Sequence, residues 1–228
     1  MFSIPFDGVR TRTWGGMTYL IHASVGDNMD PASAGIDGGW YGLRLRPETV
    51  DRFAVGDTRA SAIATAGRTK AIADVGSSSN GYGLLKFRNV KSTGGAGSNL
   101  TFPDTDFPMY RLADAYLIYA EAVLRGGGGS RTTALAYVNA LRTRASAGAI
   151  ADPALTLQLI LDERNRELLW EGTRRQDLIR FGQFSNSSVW TWKGGTQAGK
   201  VTDAFRDVYP IPANELSANP TLKQNQGY

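Results

Sequence analysis

The chain has no cysteine and a single histidine, His22, in 228 residues. Without thiols there is no disulfide framework, thiol nucleophile, zinc–thiolate site or iron–sulfur cluster. One imidazole cannot build a multi-histidine metal cage, although it could serve in a Ser/His/Asp arrangement. No serine stands in a G-x-S-x-G elbow, so a hydrolase triad has no anchor. Long apolar runs are also missing. Nothing approaches the roughly 18 residues of a membrane-spanning helix, and the opening MFSIPFDGVRTRTW lacks the layout of a signal peptide. Lysine is scarce, 6 residues against 19 arginines. Residues 1–100 hold 11 basic and 8 acidic side chains and residues 101–228 hold 14 and 13, so neither half carries a nucleic-acid footprint. The planar fork of arginine suits carboxylate pairing, and this bias points to internal ion pairs.

Glycine, by contrast, is abundant at 27 residues, and there are nine tyrosines and five tryptophans. The glycines concentrate the first hundred residues into loops. GGMTYLIHASVG, GGWYGLRLRP and GYGLLKFRNVK read as short strand-like cores bounded by glycine. The pattern changes at Phe107. Met109, Leu112, Ala113, Tyr116, Leu117, Ala120, Val123 and Leu124 recur at three- and four-residue steps, predicting a helix begun by Pro108 and ended by Gly126–Gly129. Ser130 caps a second helix carrying Leu135, Val138, Leu141 and Ala145. A third is expected after Asp152-Pro153, with Leu157, Ile160, Leu161 and Leu168 on its apolar side. The fold class is therefore mainly α with a minor α+β component, built on a tetratricopeptide-like helical hairpin. The division is a loop-rich region over 1–102 and a helical region with an extended tail over 103–228.

Five features are weighed for chemistry. In DERNRELLWEGTRRQDLIR, paired carboxyls are what a glycosidase needs. Here they alternate with arginines at helical spacing, which keeps carboxylates ionised and unfit as acid catalysts. Glu163, Arg164, Glu167, Glu171, Arg174 and Asp177 are thus expected to form a structural ion-pair network, with Glu171 paired to Arg174 or Arg175. His22, in a strand-like apolar run, reads as a satisfied histidine in or near the core. Asp27, Asn28, Asp30 and Asp37 could hold calcium in one acidic loop, but their spacing matches no EF-hand. GGAG and GGGG lack the partners of a phosphate loop. Trp14, Tyr19, Trp40, Tyr41, Trp190 and Trp192 lie in glycine-rich or polar segments. There they either complete a core or present planes on which the C–H face of a sugar packs.

YRLADAYLIYAEAVLR, ALAYVNALRTRAS, LILDERNRELLWEGTRRQDLIRFG and YPIPANELSANPTLKQNQGY resemble, in that order, the closing motifs of the SusD/RagB family. GGWYGLRLRPETVDRFAVGDTRA resembles the family's segment leading to a D-x-R stretch. The resemblance implies a non-catalytic receptor on the outer surface of the outer membrane that binds a glycan and delivers it to a SusC-like TonB-dependent transporter. No cofactor is implied, although some members hold calcium, and the membrane is met only through a lipid anchor on an N-terminal cysteine. Because members are longer and carry that cysteine, the chain is expected to be the C-terminal part of such a protein. The resemblance also implies that the loop-rich region over 1–102 is ligand-facing, and Trp14, Trp40 and Tyr41 within it are the expected ligand-facing aromatics.

Overall fold

A computed structural model describes residues 1–186 and 188–228. They form two compact units, Met1–Gly172 and Thr173–Tyr228. The change from loops to helices near residue 102 is thus a change of local structure inside the first unit, and the units divide further along.

The helical hairpin is present as its periodicity requires. Helix α3 (Leu112–Leu124) and helix α4 (Arg131–Arg144) bury Ala113, Leu117, Ala120, Ala134, Val138 and Leu141 against each other. Tyr116 and Tyr137 stack across them, with ring centroids 4.1 Å apart. The Ser130 hydroxyl accepts the Thr133 N–H at 3.3 Å, satisfying one of the amides a helix start leaves open. Leu155 and Ile160 close the same core from the next segment.

Two boundaries differ from expectation. Pro108 does not start α3. It lies in strand β4 (Phe107–Tyr110), which pairs antiparallel with β1 (Phe2–Ile4), Pro108 opposite Ser3. A two-stranded ribbon leaves every strand an edge, and there proline's missing N–H costs nothing. The third helix, α5 (Leu157–Glu167), is capped by Thr156, while Asp152-Pro153 opens only a 3-10 turn.

GGMTYLIHASVG is a helix, α1 (Gly16–Ser24), and not a strand. Met17, Ile21 and Val25 lie four residues apart and are fully buried with Ala34 and Ile36, which anchors α1 in a second core. GGWYGLRLRP forms no strand, contributing one isolated bridge from Leu45 to Tyr82. The remaining pieces of the first unit are a single-turn α2 (Pro47–Val50) and a minimal ribbon of β2 (Ile63–Ala64) with β3 (Gly83–Leu84).

In the second unit, α6 (Arg174–Arg180) precedes the aromatic loop, and α7 (Ala213–Ala218) starts directly after Pro212. The tail is tied back by side chains. The Gln224 amide brackets Ile211, accepting its N–H at 2.8 Å and donating to its carbonyl at 2.9 Å.

Candidate functional site

Two groups of side chains stand out in the first unit, one aromatic and one ionic. The aromatic group gathers around α1. Trp14 lies just before the helix and Trp40 on the loop that runs back along its C-terminal end. Their rings are 5.8 Å apart, and Phe102 meets Trp14 edge-on at 5.0 Å. Trp14 and Trp40 are 64% and 39% exposed, far outside the range of a core tryptophan.

Backbone bonds fix the loop that carries Trp40. The amides of Trp40, Tyr41 and Leu43 donate to the carbonyls of His22, Val25 and Ala23 at 2.9, 3.1 and 2.9 Å. Gly39 is needed for this approach, since a Cβ there would fall 2.3 Å from the Val25 carbonyl oxygen. Beneath Trp40, the fully buried His22 ring stacks at 4.5 Å. Its Nδ1 lies 2.6 Å from the Gly38 carbonyl oxygen and its Nε2 lies 2.8 Å from that of Thr101. His22 is thus a core histidine held between polar partners, as expected, but it stands on a helix. Polar groups rim the platform. Asp37 is half exposed and accepts from the Thr101 hydroxyl, and the Arg12 guanidinium stands 5.8 Å over the Phe102 ring.

Of the expected ligand-facing residues, then, Trp14 and Trp40 come together. Tyr41 packs against Arg44, whose guanidinium lies 5.0 Å over its ring, and its hydroxyl donates to Val75 at 3.4 Å. Phe102 was not among the six aromatics that the sequence singled out. Its neighbours in TFPD give no pattern, and only the fold brings it to Trp14. The acidic loop is occupied otherwise. Asp30 caps a 3-10 turn by accepting from Ala32, Asn28 bonds Arg68 and Gly67, and Asp37 serves the platform. Among the described residues no three His, Cys, Asp or Glu side chains are grouped to hold a metal.

The ionic group is centred on α5, and its acids are those expected while most of its bases are not. Glu167 accepts from Arg59 at 3.0 Å, from Arg111 at 2.6 Å and from Arg144 at 2.6 Å. Glu163 accepts from Arg59, Arg142 and Arg166, and Glu171 from Lys86 and Arg111. Arg164 reaches Asp114 on α3 at 2.7 Å. Arg166–Glu163 keeps the three-residue helical spacing; Arg174, Asp177 and Arg180 belong to α6 in the second unit, where Arg180 pairs with Asp177 at the same spacing. Asp57 and Arg59 of the GDTRA segment form a forked pair at 2.9 and 2.7 Å, which joins this segment to α5.

Burial opposes ionisation of Glu167. The hydrogen bonds and charges of Arg111 and Arg144 outweigh it and hold the carboxyl at about 2. Glu163 is likewise depressed, burial being overcome by Arg166 and Arg59. Carboxyls so strongly ionised cannot donate a proton to a leaving group. The network borders a cleft of about 640 Å³ where Arg59, Lys86, Arg111 and Arg144 face Phe53 and Leu84.

The sequence model of the SusD family matches residues 64–228. The starch-binding protein SusD of Bacteroides thetaiotaomicron is 33% identical over 269 aligned residues, covering 97% of this chain and 48% of that protein. SusD-like protein P25 of Formosa agariphila is 34% identical over 136 residues, covering 53% and 24%. Among solved structures, surface glycan-binding protein A of Bacteroides thetaiotaomicron superposes with a TM-score of 0.73 at 25% identity, covering 99% of this chain and 51% of that one. Its complex with laminarihexaose gives 0.70 at the same identity and coverage. The helical architecture and these matches define the SusD-like class of fold, and the relatives it matches are named as binding proteins. The chain belongs to the SusD family. It spans about half the length of SusD and of surface glycan-binding protein A.

Proposed function

We propose that this chain supplies part of a non-catalytic glycan receptor, with Trp14, Trp40 and Phe102 as its sugar platform. The observation that carries this reading is the exposed Trp14–Trp40 pair backed by a buried His22 whose two ring nitrogens each lie against a backbone carbonyl oxygen. Exposing two indoles in water is unfavourable, and a pyranose laid on them covers apolar surface while Asp37, Thr101 and Arg12 reach its hydroxyls. The relatives' printed names, a starch-binding protein and a surface glycan-binding protein seen with laminarihexaose, support glucan as the first class to test. In the full receptor the site lies at the outer surface of the outer membrane, and a SusC-like TonB-dependent transporter receives the nutrient. The proposal assigns no cofactor and no enzymatic step.

Titration calorimetry of the 228-residue chain against laminarihexaose and maltohexaose tests the reading. Binding that weakens about tenfold in Trp40→Ala, as expected for losing one stacked plane, supports it. Binding unaffected by alanine at both Trp14 and Trp40 overturns it.

A second reading has its own observation. The cleft beside Arg111 and Arg144 combines basic and apolar walls, which suits a polypeptide surface carrying carboxylates. Copurification of this chain with the transporter, lost on Arg144→Glu and accompanied by no glycan retention, would favour a docking module over a sugar site.

A further inference from the structure

His22 is the buried titratable group that the glycan platform leaves unexplained. Both its ring nitrogens face backbone carbonyl oxygens, Gly38 at 2.6 Å and Thr101 at 2.8 Å. Carbonyl oxygens only accept. A neutral imidazole has one N–H and bonds one of them, leaving a nitrogen lone pair against the other oxygen. The imidazolium has two N–H groups and bonds both. Full burial opposes that cation, and three neighbours favour it. The Asp37 carboxylate lies 4.0 Å from Nδ1. The ring stands in the last turn of α1, where the helix presents its carbonyl end. Trp40 offers a π face, with the two rings 19° from parallel. The Arg12 guanidinium, 5.8 Å over the Phe102 ring, is a basic group of opposite effect.

The two bonded carbonyls belong to the two loops that carry the platform. Gly38 is two residues before Trp40, and Thr101 immediately precedes Phe102. Asn89, donating to the Gly35 and Asn99 carbonyls, and the Asp37–Thr101 bond also join these loops, but His22 is the link beneath Trp40 that changes its donor count on titration.

We propose that His22 is a positioning residue for glycan binding. In the imidazolium form it bonds the Trp40 and Phe102 loops at once, and loss of one ring proton removes one of these two bonds and loosens the join. The proposal rests on the glycan-platform reading and adds its regulation: binding is strongest on the acid side of the histidine's titration and weakens as pH rises through it.

His22 is the chain's only histidine, so histidine-selective 15N labelling reports its ring without further assignment. The expected spectrum has two slowly exchanging ring N–H protons at about pH 5.5 and one at about pH 8.5. Laminarihexaose affinity should fall about fivefold across that span, the scale of one lost hydrogen bond, and His22→Gln should abolish this pH dependence. A ring carrying one N–H throughout, or an affinity equally pH-dependent in His22→Gln, overturns the proposal. If the wild-type chain binds no glucan at either pH, the platform reading fails, and the 15N spectrum still decides the two-bond join.

Discussion

Replacing Glu167 with glutamine removes one negative charge from among three guanidinium groups while keeping the side chain's length. Glu167 is 4% exposed, and its two oxygens take bonds from Arg59, Arg111 and Arg144. Glutamine offers one acceptor and turns two donors toward three donors. Breaking a buried ion pair from one side costs about 3–5 kcal/mol. Linkage gives a similar figure. An acid at 4.5 when unfolded and about 2 when folded contributes about 3 kcal/mol through its ionisation. Since the folded value is the lower one, this contribution is complete above about pH 4.5 and is lost as the pH falls through about 2. Urea unfolding followed by far-ultraviolet circular dichroism reads both effects. With a slope of about 2 kcal/mol per molar, the midpoint of Glu167→Gln should drop by about 1.5 M at neutral pH. The gap to wild type should shrink by more than half at about pH 3. A drop below about 0.5 M, or a gap unchanged on acidification, would refute the view that arginine-held ionisation at α5 stabilises the fold.

Three further outcomes follow from the geometry. Ser130→Ala should lower stability by about 1 kcal/mol by leaving the Thr133 amide uncapped, readable in the same urea titration. Gly39→Ala should weaken glucan binding at least tenfold, because its Cβ would push the Trp40 loop off the Val25 carbonyl; calorimetry at unchanged Trp40 tests this. Leu117→Ala, in the α3–α4 core and fully buried, should cost about 2–5 kcal/mol yet leave the affinity of the folded protein unchanged.

The hairpin was legible because its signals are local. The three- and four-residue steps of Ala113, Leu117 and Ala120 and the Ser130 cap lie within one stretch of chain and describe one structure. Helix α1 was misread since glycines flank a short apolar run, which imitates a strand. The four-residue steps of Met17, Ile21 and Val25 are the signal in this run that marks a helix. Pro108 suits a helix start and an edge strand equally, and what decides is Ser3, a hundred residues away. The ionic network shows the same division. Its acids are visible in one helical run, whereas Arg59, Arg111, Arg142 and Arg144 come from other segments. In the platform, Trp14 and Trp40 stood out by their polar settings, but Phe102 and the two carbonyls on His22 are products of tertiary contact.

The most direct measurement of the glycan-platform claim is the indole N–H spectrum of the 228-residue chain titrated with laminarihexaose. Five tryptophans give five resonances, from Trp14, Trp40, Trp170, Trp190 and Trp192. The proposal predicts shifts at Trp14 and Trp40 that saturate together while the other three stay in place. Shifts confined to Trp170, Trp190 or Trp192, with Trp14 and Trp40 unmoved at saturation, would contradict it.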